Sequence, residues 1–248
     1  LWILAMSATL ITSTDELASL CQHLASADYV TVDTEFMRES TFWPKLCLAQ
    51  VAGPDDAVAI DALAPGMDLS PLFALLADPD VVKVFHAARQ DLEIFLQLMN
   101  ALPTPIFDTQ VAAMVCGFGE SVGYDQLISK LTKVRLDKGS RFTDWSLRPL
   151  SERQINYALA DVTHLRAAYE KLSARLEKEQ RRAWIEEEMM LLATPETFLS
   201  DPMKAYERLK SRGGKGRFLA VLRELAAWRE LEARRRDVPA GWDIVFTS

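Results

Sequence analysis

Cysteine is scarce in this chain. Only Cys21, Cys47 and Cys116 occur among 248 residues, and no two of them have C-x-x-C spacing. An odd, scattered set excludes a disulfide scaffold and a thiolate zinc site, and it fits a reducing compartment. Histidine is as rare, and His23, His86 and His164 show no metal-ligand spacing. No G-x-G-x-x-G follows a strand-like run and no P-loop is present. That removes nucleotide-dependent dehydrogenases and P-loop enzymes, and with them a nucleotide cofactor. Long apolar runs are missing too. The N-terminal "LWILAMSATLI" is too short to span a bilayer and has no basic region or cleavage site of a signal peptide. Met6 is read as the natural start, with Leu1 to Ala5 upstream of it. The expectation is a cytoplasmic protein with no membrane partner.

What is present is ordinary in amount and uneven in layout. About half the residues are apolar (49%) and a quarter charged (25%), which suits one large globular domain plus a fragment of a second. Net charge is −7. Residues 201–248 hold eleven Lys/Arg against seven Asp/Glu, a net +4, so the first 200 residues carry −11. An acidic body with a basic tail points to a polyanionic partner for the tail. A solvated helical surface is the plainer explanation.

Strand-like "DYVTVDTEF", "LCLAQVAG" and "AVAIDA" come in succession, the last two separated by a "PDD" turn. Helical "DLSPLFALLADPD" precedes a strand, "VVKVFHA", and a helix, "ARQDLEIFLQLMN". "PIFDTQVAAMVCGF" then runs from strand into helix, and "YDQLISKLTK" is another helix. Three strands in a row followed by alternation predict a mixed sheet flanked by helices. Ser151 and Gln154 form a capping box that starts a helix near Glu152, with helical spacing continuing to about Leu192. "ATPETFLSDP" is the domain boundary, and "RFLAVLRELAAWRELEARRRDVP" is one amphipathic helix beyond it.

Three carboxylate groups stand out. Asp33 and Glu35 are two apart on the first long strand, so both point to one face. Buried together they would need a cation or a proton, and a metal is the natural compensator at a strand end. Asp91 lies one turn into the helix after "VVKVFHA", where an acid commonly stabilises a helix N-terminus. Tyr157 and Asp161 are four apart and share a helix face. Each has an ordinary structural explanation on its own. His86 is read as a packed, hydrogen-bonded histidine, and Asp108 as the cap of the helix it precedes.

In this order and spacing, Asp33-x-Glu35, Asp91 and Tyr157-x-x-x-Asp161 resemble the exonuclease motifs of the DEDD superfamily, in its tyrosine subclass. "VTVDTEFMRESTFWPKLCLAQVA", "VFHAARQDLEIF", "LDKGSRFTDWSLRPLSERQINYALADV" and "WIEEEM" are similar to the ribonuclease D family over about residues 8–200. The resemblance implies a ribonuclease-H-like α/β fold with a mixed five-stranded sheet, followed by a partial all-α domain. Residues 1–200 would be the 3′-5′ exonuclease domain. Residues 203–248 would be the N-terminal part of a helical, HRDC-type nucleic-acid-binding domain, cut short.

The implied activity is metal-dependent 3′-5′ hydrolysis of RNA to nucleoside 5′-monophosphates, with precursor tRNA 3′ ends and single-stranded 3′ tails as substrates. A 3′-5′ DNA exonuclease and a catalytically dead RNA-binding protein are the alternatives. Asp33, Glu35, Asp91 and Asp161 would hold two divalent cations, Mg²⁺ or Mn²⁺, and Tyr157 would position the attacking water. Glu35 would also reach the terminal 3′ hydroxyl. In "KGSRFTDWSLRP", Lys138, Arg141 and Arg148 are candidate phosphate contacts, and Phe142 and Trp145 candidate stacking platforms. Trp145 packing the loop on the core, and Arg148 holding it to an acid, are the structural alternatives.

Overall fold

The computed structural model describes residues 9–137, 139–140, 143–198, 201–209 and 216–239. Alternating β-branched and polar residues make β2, Tyr29–Met37, the longest strand. It pairs antiparallel with β3, Lys45–Ala52, which pairs antiparallel with β4, Ala57–Asp61. On its other side β2 pairs in parallel with β5, Val82–Phe85, and β5 with β6, Ile106–Asp108. The sheet has six strands rather than the expected five. The addition is β1, Thr9–Ile11, lying parallel to β4 at the edge. Three residues are too few to show a period of two, which is why the sequence pattern passed over it.

Side chains of β2 alternate as the pattern requires. Val30 and Val32 join the main core with α1, Thr14–Leu24, α2, Ser70–Ala77, and α3, Arg89–Met99. Thr31, Asp33 and Glu35 face the other way, beneath α6, Glu152–Lys178. The face is fixed by Thr31, whose Oγ1 donates to the Val162 carbonyl at 2.8 Å. Small residues let α6 lie close: Ala158 packs on Leu48 and Ala59, and Val162 on Ala52 and Ala57. Two shorter helices, α4, Thr109–Val115, and α5, Tyr124–Thr132, complete the wall beside α6.

The Ser151–Gln154 capping box is formed, and α6 starts at Glu152. Its end differs from expectation. Gln180 takes a left-handed φ of 55°, while the Arg181 N–H reaches the Leu176 carbonyl and the Gln180 N–H that of Glu177. That Schellman arrangement closes the helix without a glycine. Helix α7, Arg182–Leu192, therefore stands separately. Beyond α7, a 3₁₀ turn at Pro202–Arg208 packs on α8, Gly216–Arg236. Arg208 and Arg234 both pair with buried Glu230, at 3.0 and 3.3 Å. Asp237 ties the end of α8 to the β2–β3 loop by accepting from the N–H groups of Phe42 and Trp43. No helix among the described residues is long and apolar enough to cross a membrane.

Candidate active site

The acids of β2 sit where the strand leaves the sheet. The pairing shifts register between Glu35 and Phe36, which oppose Leu48 and Leu46 and leave Cys47 as the extra residue of a bulge. Bulges re-aim side chains at functional sites. Asp161 comes down from α6 onto the same face. Carboxylate oxygens of Asp33, Glu35 and Asp161 all lie within 4.8 Å of one another.

Asp91 arrives from the other side of β2, in the first turn of α3. Its Oδ1 accepts from the Thr34 hydroxyl at 2.5 Å. The turn that delivers it is held by one carboxylate. Asp108 accepts from the N–H groups of Ala87, Ala88 and Gln110, so it caps α4 and also fixes the left-handed Ala87, φ 56°, just before α3. Asp33, Asp91, Tyr157 and Asp161 line one cleft of about 370 Å³.

Electrostatics mark the cleft as built for a cation. Burial pushes the Asp33 carboxyl well above the usual range, and the charge of Asp161 pushes it further. Burial raises Asp91 as well, with the charge of Asp33 adding to it and the Thr34 hydroxyl opposing. Asp33 is half-buried by solvent contact yet surrounded by protein on its remaining sides; that enclosure governs its desolvation. The clustered donors are all carboxylate oxygens, the hard ligands that divalent cations of the Mg²⁺ and Mn²⁺ type prefer. A divalent cation thus fits both the donor set and the charge deficit.

A family model described as 3′-5′ exonuclease matches residues 8–177. The chain belongs to the 3′-5′ exonuclease family. It is 57% identical over 233 residues to ribonuclease D of Granulibacter bethesdensis, an alignment covering 94% of this chain and 59% of that protein. The chain therefore spans about three fifths of the length of the curated relatives it matches. In structure it is similar to Escherichia coli RNase D, an exoribonuclease involved in structured RNA processing. The TM-score is 0.86 at 36% identity, over 95% of this chain and 63% of that one. Brucella melitensis NrnC with bound Mg²⁺ shares the fold, with a TM-score of 0.64 at 24% identity over 84% of this chain and 96% of that one.

The cleft brings together four of the five motif residues, with Glu35 clustered beside Asp33 and Asp161, but not the whole expected substrate set. Lys138, Arg141 and Phe142 lie outside the described residues. Trp145 is 3% exposed, packed on Cys47, Leu48 and Ala158, with its ring 6.1 Å from that of Tyr157. It offers no open face to a base, so it supports Tyr157 from beneath. Arg148 uses all five of its N–H groups. Two go to Asp61 at 2.6 and 2.7 Å, and three to the carbonyls of Cys47, Trp145 and Leu147. A guanidinium has five donors, so none is left over for a phosphate. Both residues hold the loop to the sheet instead of meeting the strand.

Other residues of the cleft went unnoticed in the sequence. The Tyr124 hydroxyl donates to the Asp161 main-chain carbonyl, and burial lifts its phenol far above the ordinary range. With Thr31 on Val162, two side chains from separate elements grip the α6 backbone at the turn that carries Asp161. No local pattern announces a contact between residues 37 positions apart. His86 is the packed histidine expected. Thr109 gives its proton to the Phe85 carbonyl, so His86 Nδ1 donates to Thr109 Oγ1 at 2.9 Å, and burial lowers the imidazole pKa.

Proposed function

We propose that this chain is a 3′-5′ exoribonuclease that uses two divalent cations, Mg²⁺ or Mn²⁺, and releases nucleoside 5′-monophosphates. The observation that carries the reading is the cluster of Asp33, Glu35 and Asp161 within 4.8 Å, in one cleft with Asp91 and Tyr157. Asp33, Glu35, Asp91 and Asp161 would hold the ions. When bound, such a pair supplies a low-pKa water and stabilises the departing 3′ oxygen.

The remaining work belongs to the chain. Tyr157 orients the attacking water through its phenol, since a group with pKa near 10 is a poor base at neutral pH. Trp145 and the capped start of α6 keep that phenol in place. Glu35 reaches for the terminal 3′ hydroxyl. A cleft of about 370 Å³ is in the range that encloses a small molecule, which suits one terminal nucleotide better than a duplex end. A second hollow of about 630 Å³ shares Gln90 with the cleft and is lined by Arg38, Arg89, Phe42 and Trp43. Cationic and aromatic side chains of this kind track single strands, so this hollow is the path for the upstream nucleotides.

Substrates in this reading are single-stranded 3′ tails, including those of precursor tRNAs, and the reaction is cytoplasmic. Residues 1–200 form the exonuclease domain. Residues 203–248 belong to an HRDC-type helical domain, whose α8 turns Phe218, Val221, Leu225 and Leu231 to solvent. The Mg²⁺ held by the fold-related Brucella protein supports the choice of ion.

The test is a time course on 5′-labelled single-stranded RNA with Mg²⁺, Mn²⁺ or chelator, beside matched DNA and Asp33→Ala. A metal-dependent ladder shortening from the 3′ end, absent with Asp33→Ala, is expected. Internal cuts, or a ladder that survives the substitution, would overturn the assignment. Faster loss of DNA than of RNA would reassign the substrate.

A further inference from the structure

One polar residue in the heart of the sheet has no task in the scheme above. Gln50 sits in the middle of β3, where every residue from Leu46 to Ala52 is buried. It is fully buried itself, and neither its amide nitrogen nor its amide oxygen has a hydrogen-bond partner. A buried primary amide without partners is unfavourable, and an apolar residue of the same shape would serve packing better. The position therefore has a use for an amide.

The register shows what lies beside it. Gln50 stands directly opposite Asp33 on β2 and opposite Ala59 on β4. Residues directly opposite share a face, with Cβ atoms about 4.5–5.5 Å apart. That face is the one beneath α6, because the neighbouring pairs are Thr31 with Ala52 and Glu35 with Leu48, and Ala52 and Leu48 pack on α6. Ala59 on the far side has no polar side-chain atom to offer. Within one strand spacing, Asp33 is the polar neighbour on this row.

We propose that Gln50 is a positioning residue for Asp33. This structure contains no bond between the two side chains; a turn of the Gln50 side chain about its own torsions would bring the –NH₂ to the ionised Asp33 carboxylate when a cation is held there. A carboxylate only accepts, so the nitrogen end of the amide would turn toward it. Such a bond would be charge-assisted and would lie away from water. Carboxylates that hold metals are themselves commonly hydrogen-bonded from behind, and removing that support typically weakens metal binding 10–100-fold. The strand enforces the geometry, since Gln50 cannot leave the row without breaking the β3 ladder. This inference rests on the reading of Asp33 as a metal ligand.

The experiment measures Mn²⁺ affinity by the electron paramagnetic resonance signal of free ion, and Tm in chelator, for the full chain. Wild type, Gln50→Met, Gln50→Leu and Asp33→Ala are compared. The expected result is that both Gln50 variants keep a metal-free Tm equal to or above that of wild type, while Mn²⁺ affinity falls 10–100-fold. Their kcat should recover at high Mn²⁺ with the KM for RNA unchanged, a pattern that a packing defect would not give. Wild-type Mn²⁺ affinity in Gln50→Met and Gln50→Leu, whatever their Tm, overturns the proposal. If wild type binds no Mn²⁺, or Asp33→Ala binds it as well as wild type does, the metal site itself is refuted and not merely its support.

Discussion

Asp33→Asn should raise the stability of the metal-free protein. Two acidic groups, Glu35 and Asp161, sit within 4.8 Å of Asp33. At an effective dielectric constant near 20, each such pair of charges costs about 3 kcal/mol. The penalty has a ceiling, because a strained carboxyl takes up a proton instead. Protonating a carboxyl of ordinary pKa at pH 7 costs about 4 kcal/mol. The expected gain is about 2–4 kcal/mol, or roughly 4–16 °C in Tm for a chain of this size. An asparagine oxygen still accepts from the Thr34 N–H that bonds the Asp33 carboxylate. Dependence on pH follows from the direction of the shift. Folding raises the Asp33 pKa, so the penalty is absent below the unfolded value near 4, grows as pH rises from there, and is complete above the raised folded value. The advantage of asparagine is therefore largest at alkaline pH and fades toward pH 4. Calorimetry in chelator between pH 4 and pH 8.5 measures it. A parallel Mn²⁺ series should stabilise the wild type strongly, because the ion binds only the folded state, and the variant far less. An asparagine variant no more stable than wild type at pH 8, or an advantage that grows as pH falls, would refute the reasoning.

Three further outcomes are expected. Tyr157→Phe should lower kcat about 100-fold and leave RNA affinity within a few-fold in a filter-binding assay; loss of affinity instead would make Tyr157 a substrate contact. Arg148→Lys keeps the charge but not the fork on Asp61, and should cost about 2–4 kcal/mol in urea unfolding without changing the salt dependence of RNA binding. Lys83, fully buried, donates to the carbonyls of Asp78, Val81 and Thr104, so Lys83→Met should destabilise the fold by about 2–5 kcal/mol. Burial lowers the Lys83 pKa from 10.5 to about 8. The charging penalty is full below pH 8 and is relieved between there and 10.5, so wild type should gain stability over that interval and the methionine variant should lack the rise.

How far the sequence could be read depended on whether the evidence was local. Helix α6 was visible from its capping box, and the two faces of β2 from simple alternation. The five motif residues were legible because their chemistry and order survive in the linear chain. The bulge at Cys47 was not, since it is a relation between two strands. Nor was the break at Gln180, which lacks the glycine that usually marks a left-handed cap. Trp145 and Arg148 stayed open between substrate contact and loop packing, because an exposed-looking polar loop is the same string whether its side chains point to solvent or inward. Asp61, the acid that claims Arg148, is 87 residues away.

The architecture of α6 has a consequence for when the acidic cluster forms. Asp33 and Glu35 are made early in the chain and Asp161 late, and the three meet only after α6 lies across the sheet. Contacts that far apart in sequence form slowly, and late in folding. Until the Thr31 and Tyr124 hydroxyls take hold of the α6 backbone, the nascent polypeptide has acids but no cluster. The acidic cluster therefore arises together with the finished fold and not piecemeal along the emerging chain.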